Sequence, residues 1–318
     1  MTSTHPAAPQ SSGRAGWLRF RLIAPTLQQR DSLFGYLLIA PQVFGFLIFV
    51  LIPLIAVFAF SLQDRNLLLG TEDPVGLRNY IQLFSTDPLF PVVLRNTLIF
   101  TVGLVPLNVS LALLLALALN TRMRGSTVFR AIFFAPVITS GVAWAIVWRF
   151  MLQGDDGMVN QVLAVVGVNG PNWLFEPGPA MAAVIVTRVL KNVGLNMIIF
   201  LAALQNIPRE LTEASSIDGA NPRQTFRRIT LPLLAPTLFV AVLVTFIGSL
   251  QVFDHIALLT EGGPANATMV LIYYIYYVGF RLFDIGYASA LAVILFFIAL
   301  FVTIAFWFSR RVLVFDER

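Results

Sequence analysis

Six apolar runs dominate this 318-residue chain. They lie at about 33–62, 95–119, 128–152, 179–205, 232–257 and 286–309. Each is long enough to cross the hydrocarbon core of a bilayer, which takes about 20 helical residues. Backbone polar groups cannot go unpaired in lipid, so a spanning segment must be helix or closed barrel. Barrel strands are short and alternating, whereas these runs are continuous Leu, Val, Ile, Ala and Phe. The expected fold class is therefore all-α and polytopic. Composition agrees: 12% of residues are charged, against about a quarter in soluble domains.

The polar segments set the domain plan. Residues 1–32 form a basic tail, 33–312 the transmembrane domain and 313–318 a short terminus. The segment at about 268–284 holds Tyr273, Tyr274, Tyr276 and Tyr277. Tyrosine favours the membrane–water boundary, so it reads as an outer interfacial or re-entrant helix, with a true span as the weaker reading. Six spans place the N-terminal tail, the second and fourth loops and the C-terminus on one side. That side carries 14 of the 21 Lys and Arg residues, among them Arg14, Arg19, Arg21, Arg30, Arg122, Arg124 and Arg318. Positive charge stays inside, which predicts a multi-pass membrane protein with both termini cytoplasmic.

Several functions are excluded by inventory. There is no cysteine, and His5 and His255 stand far apart, so no metal site is expected. The arginines flank apolar runs and form no stripe on a soluble face, which argues against nucleic acid. The single lysine is Lys191, inside the fourth run, so the phosphate loop G-x-x-x-x-G-K-[ST] is absent and this chain holds no ATP site of that kind. No catalytic constellation is present, and an enzyme is not expected. A secondary transporter is the less favoured alternative, because the firmly intramembrane charges are cationic and no inverted repeat is evident.

The fourth loop, 206–231, is long for a helix–helix connection. Pro208 suits a first helical position, and Glu210 and Glu213 suit the early turns. Gly219 suits a left-handed stop. Asn221, Pro222 and Gln224 form a capping box that starts a second helix, with Phe226 and Ile229 on one face. Two short helices joined by a turn make a compact charged piece that either docks into a partner's groove or simply connects two spans.

Polar residues within spans are costly and mark sites by default. Arg188, Lys191, Asn192 and Asn196 share one helical face. Thr245, Ser249, Gln251, Asp254 and His255 lie on the fifth run, and Thr139, Ser140 and Trp144 on the third. Aromatic faces with amide and hydroxyl partners suit a sugar. The competing reading is helix–helix hydrogen bonding, with Arg188 paired to Asp254 or reaching the outer headgroups.

The loop spacing resembles a family pattern: E-A-A, three residues, G, nine residues, I-x-L-P. Here it is Glu213, Ala214 and Ser215, then Gly219, then Ile229, Leu231 and Pro232. VGLRNY (75–80), RNTLIFT (95–101), LNTRMRG (119–125), FRAIFFAP (129–136), SSIDGA (215–220), LLTEGGP (258–264) and GYASALAVILF (286–296) extend the likeness over roughly residues 30–312. The chain resembles the ABC importer permeases for carbohydrate uptake, of the maltose and glycerol-phosphate type, and within them the first permease subunit, a binding-protein-dependent inner-membrane component.

That resemblance implies the type I importer fold, a second homologous permease forming a heterodimer, a cytoplasmic ATPase dimer and an extracytoplasmic substrate-binding protein. ATP and Mg would sit on the ATPase, with no cofactor on this chain. Glu213, Ala214, Ser215, Asp218, Gly219, Ala220 and Phe226 would couple to the ATPase. The family's substrate positions fall on Val137, Gly141, Arg188, Asn192, Leu195, Ser249 and Val252, beside Ser140, Trp144, Lys191 and Gln251. Gly262, Gly263 and Pro264 would gate the outer mouth or touch the binding protein. The implied cargo is a sugar or oligosaccharide; glycerol 3-phosphate or a related polyol phosphate is the alternative that the two cations suggest.

Overall fold

The computed structural model describes residues 27–120, 125–154 and 156–313, with side chains between 34 and 309. Arg14, Arg19, Arg21, Arg122, Arg124 and Arg318 lie outside the described residues, and the side chain of Arg30 outside the described side chains. Contacts divide the chain after Leu54 into two units.

The first apolar run is helical from α1 (Leu27–Phe46) through one wide turn (Leu47–Leu51) into α2 (Ile52–Phe60). Its apolar stretch, Phe34–Phe60, has a mean hydropathy of 3.0. Pro41 sits inside α1 without ending it.

The second unit opens with elements that periodicity did not announce. Strands β1 (Gln63–Asn66) and β2 (Thr71–Pro74) pair antiparallel, Arg65 opposite Glu72 with an ion pair at 2.9 Å. Asn66 folds the turn by accepting from the Leu68 and Leu69 amides. Helix α3 (Arg78–Ser85) follows. The buried Asn79 donates to the carbonyls of Ser61 and Gln63 at 2.9 Å each, and Arg78 pairs with Asp64. This is what the VGLRNY stretch does physically: it ties a short helix to a hairpin.

Four long helices form the rest of the frame: α4 (Phe90–Leu119), α8 (Pro177–Gln205), α11 (Leu231–Leu250) and α14 (Ile285–Leu313). The most extensive contact is between α4 and α8, with α11 against both. Phe100, Val184, Ile256 and Leu271 lie fully buried in one core cluster, and Met197, Phe200 and Leu234 in a second. Asp87, just after α3, ties α4 to the tyrosines of α13 and α14. One oxygen accepts from the Leu89 and Phe90 amides at the start of α4; the other accepts from Tyr274 at 2.8 Å and Tyr287 at 2.6 Å. Burial and the Asp87 carboxylate push the Tyr274 hydroxyl's pKa up, so it stays a proton donor.

Three expectations need correction. The third run is not one helix: α5 (Ser126–Ile138) and α6 (Gly141–Met151) meet at a 102° bend. The fifth run does not continue to 257. Helix α11 stops at Leu250, and a separate short helix, α12 (Asp254–Leu259), follows Gln251 and Val252. The second loop helix is not free-standing. After α9 (Arg209–Ile217), α10 (Pro222–Thr225) passes through a π turn (Phe226–Thr230) straight into α11, giving one rod from Pro222 to Leu250. The wide turn places the Leu231 amide on the Phe226 carbonyl, and so carries the helix past Pro232, which has no amide hydrogen. Smaller elements are α7 (Met158–Val165) and α13 (Leu271–Tyr276), the latter extended by a π turn to Arg281. These 11 residues are too short for a core of about 30 Å.

Close packing sets one testable cost. A Cβ on Gly194 of α8 would lie 2.1 Å from the Phe133 carbonyl oxygen of α5. Backbone cannot yield as a side chain does, so Gly194→Ala is expected to lower stability by about 1–3 kcal/mol. Thermal unfolding of the purified chain in detergent measures this.

Candidate functional site

The bend between α5 and α6 leaves two helix ends at the break, and each meets a charge from elsewhere. At the end of α5, Lys191 Nζ donates to the carbonyls of Pro136 (3.0 Å) and Thr139 (2.8 Å). A cation bonded to the last carbonyls is favoured by both the dipole and the charge-assisted hydrogen bonds. At the start of α6, a Cβ on Gly141 would lie 2.0 Å from Asp254 Oδ2. Glycine therefore admits a carboxylate against a helix N-terminus, where negative charge is favoured.

Asp254 also holds its own partners. Arg188 Nη1 stands 3.6 Å from Oδ1, and the His255 ring Nδ1 at 3.1 Å. The Arg188 side chain is only 16% exposed, and its Nε has no hydrogen-bond partner. His255 is fully buried. The alternative pairing of Arg188 with Asp254 is thus the one observed. Trp144 Nε1 donates to the Thr187 carbonyl at 3.0 Å, and its ring lies 5.9 Å from Lys191 Nζ, within cation–π reach.

The residues expected at the cavity separate into two groups. Ser249 is buried and bonds Thr101 at 3.0 Å, and Val252 is fully buried beside it. Ser140 and Gln251 are exposed, Asn192 is half-buried, and Leu195 is 42% exposed. They come from the residue before α6, from α8 and from the residues after α11. Asn196 donates to Asn108 at 2.6 Å and to Thr245 at 2.8 Å. Asn108 and Thr101 went unnamed in the sequence reading, although a buried Asn within an apolar run is itself a signal.

The loop forms an elbow. Pro208 is the residue before α9, one position earlier than expected, and Gly219 adopts a left-handed φ of +78°. Asn221 and Gln224 make the full capping box. Ser215 is buried and its hydroxyl meets Thr225 at 3.0 Å, joining the two limbs. Ala220 donates its amide to the Ser215 carbonyl at 2.9 Å, and Phe226 is half-buried at the root of the rod. Glu213, Ala214 and Asp218 are exposed. Ile217 is 87% exposed on the Glu213 face of α9; an apolar residue four positions after Glu213 in a charged loop was the overlooked signal.

At the opposite end, Thr260 to Pro264 form a tight turn. Gly262 has φ +81°, and Thr268 binds the Gly263 carbonyl at 2.7 Å. Gly263 and Pro264 line a cleft of about 640 Å³ together with Arg149, Gln153, Phe175 and Glu261.

Residues 108–314 match the model of a family described as "Binding-protein-dependent transport system inner membrane component". The chain is 37% identical over 283 residues to a trehalose/maltose transport system permease protein of Thermococcus litoralis, covering 88% of this chain and 94% of that one. It is 34% identical over 278 residues to an sn-glycerol-3-phosphate transport system permease protein of Yersinia pestis, covering 87% and 94%. Among solved structures, a chain of a bacterial alginate ABC transporter, in complex with an alginate pentasaccharide-bound periplasmic protein, superposes with a TM-score of 0.79. It is 26% identical and covers 90% of this chain and 96% of that one.

Proposed function

This chain belongs to the family of binding-protein-dependent transport system inner membrane components, and on that premise we propose that it is the permease subunit of an ABC importer for a neutral sugar or oligosaccharide. The permease works by alternating access. A separate ATPase dimer carries ATP and Mg, a second homologous permease completes a heterodimer, and a binding protein delivers cargo at the Gly262–Pro264 end. The termini and the elbow face the cytoplasm. In the coupling loop, Glu213, Ala214, Asp218 and Ile217 meet the ATPase, while Ser215, Gly219, Ala220 and Phe226 keep the elbow's shape.

The carrying observation is the elbow itself: an exposed short helix that a left-handed turn joins to an unbroken rod. A plain connector needs neither the exposed Ile217 nor the rod. The cargo reading rests on the two cations. Lys191 is bonded to carbonyls and Arg188 is paired with Asp254, so each cation already serves a partner within the protein. The polar groups left around the bend are the Ser140 hydroxyl and the amides of Asn192 and Gln251, which suit sugar hydroxyls. The relatives named above import trehalose and maltose in one case and glycerol phosphate in another, which makes the distinction worth testing.

The experiment is ATP hydrolysis by the complex reconstituted with its ATPase and binding protein. Neutral oligosaccharides, an alginate oligosaccharide and sn-glycerol 3-phosphate are added in turn. The proposal expects hydrolysis to rise with a neutral sugar. Stimulation by glycerol phosphate or alginate alone would overturn the cargo reading, and no ATPase association at all would overturn the permease reading.

A further inference from the structure

A second cleft, of about 530 Å³, opens beside the base of α9. Its wall is polar: Asn120, Ser126, Arg130, Arg209, Thr212 and Thr230 line it. Three features point to one ligand chemistry. Two arginines face the same space, and among the described residues neither has an acidic partner. Arg130 spends one donor on the Leu119 carbonyl at 3.2 Å and leaves its Nε with no hydrogen-bond partner.

The N-termini of α5, at Ser126, and of α9, at Arg209, both border the cleft, and neither has a side-chain cap. Uncapped helix starts present amide hydrogens and the positive end of the dipole. The hydroxyls of Ser126 and Thr230 add donors to the lining. The cleft also lies level with the ends of α4 and α8, where the apolar runs give way to polar residues. In a bundle that spans a bilayer, such a polar boundary would fall near the lipid phosphates.

We propose that this cleft is a binding site for a phosphate-bearing anion, either the headgroup of an anionic phospholipid or a free phosphate. The site goes beyond the transport reading and does not depend on it. Two guanidinium groups bracket the phosphate, the α5 and α9 amides cap it, and the elbow is thereby fastened to the membrane face.

The full chain, purified in neutral detergent, is titrated with phosphatidylglycerol, phosphatidylcholine and inorganic phosphate, and occupancy is read by native mass spectrometry. Phosphatidylglycerol should bind more tightly than phosphatidylcholine. Arg209→Gln should weaken it about fivefold, the scale of one cation at a membrane surface. Arg281→Gln, at the other end of the bundle, should not. Arg130→Gln gives the same reading where it folds, and Arg209→Gln, on an exposed side chain, stands in where it does not. Inorganic phosphate that displaces the lipid, with both lost in Arg209→Gln, makes free phosphate the ligand. Equal binding of the two lipids with no phosphate binding, or unchanged binding in Arg209→Gln, overturns the proposal.

Discussion

Glu213→Arg is expected to leave the chain folded and in the membrane while ATP-driven uptake falls about 30-fold or more. The magnitude is that of disrupting one member of a desolvated charge contact, about 2 kcal/mol at the low end. The two effects separate because Glu213 is exposed on α9 and makes no ion pair among the described residues. An exposed substitution of that kind moves stability by only about 0.5 kcal/mol. Membrane yield and thermal unfolding report the fold, while uptake and ATPase activity in the reconstituted complex report coupling. Normal uptake by Glu213→Arg would mean that α9 is a connector and that drive enters elsewhere.

Asp254→Ala should have the largest effect on stability, about 3–5 kcal/mol, because it strands a charge. Arg188 would keep its place in the bundle and, among the described residues, would lose its one carboxylate while its Nε already has no partner. The start of α6 would lose the negative charge beside Gly141. Replacing both members of the pair by leucine should recover most of the loss, since an apolar pair of similar volume is often as stable as a buried ion pair. Unfolding midpoints of Arg188→Leu, Asp254→Leu and the double variant form the test. Additive losses would show that the 3.6 Å pairing carries no coupling energy. Arg188→Ala, a natural probe of a cargo site, therefore perturbs structure and transport together and needs the double variant beside it.

The long helices were legible because lipid admits few ways to satisfy backbone, and continuous apolar runs declare them. The elbow was legible too, since Asn221, Pro222 and Gln224 cap locally and Gly219 turns locally. The bend was not. Pro136 offers no distinctive warning: Pro106 lies inside α4 and Pro236 inside α11 without ending either helix. What stabilises the break at Thr139 and Ser140 comes from afar, from Lys191 on α8 and Asp254 at the start of α12. Fifty-odd residues separate Lys191 from the carbonyls it holds, and no local window contains both. The division of the site residues was hidden for the same reason. Ser249 and Gln251 are two positions apart, yet one is locked to Thr101 and the other lies just beyond the end of α11.

The unbroken rod from Pro222 to Leu250 has a mechanical consequence. Its 29 residues make a lever arm of about 43 Å at 1.5 Å per residue. A tilt of about 10° imposed at the elbow would sweep the far tip through about 7.5 Å by that length. Four residues beyond the tip is Asp254, the carboxylate shared by Arg188 and the α6 terminus. A displacement of that size exceeds the reach of any ion pair, so a modest stroke at one end of the rod is enough to unclasp the bend at the other.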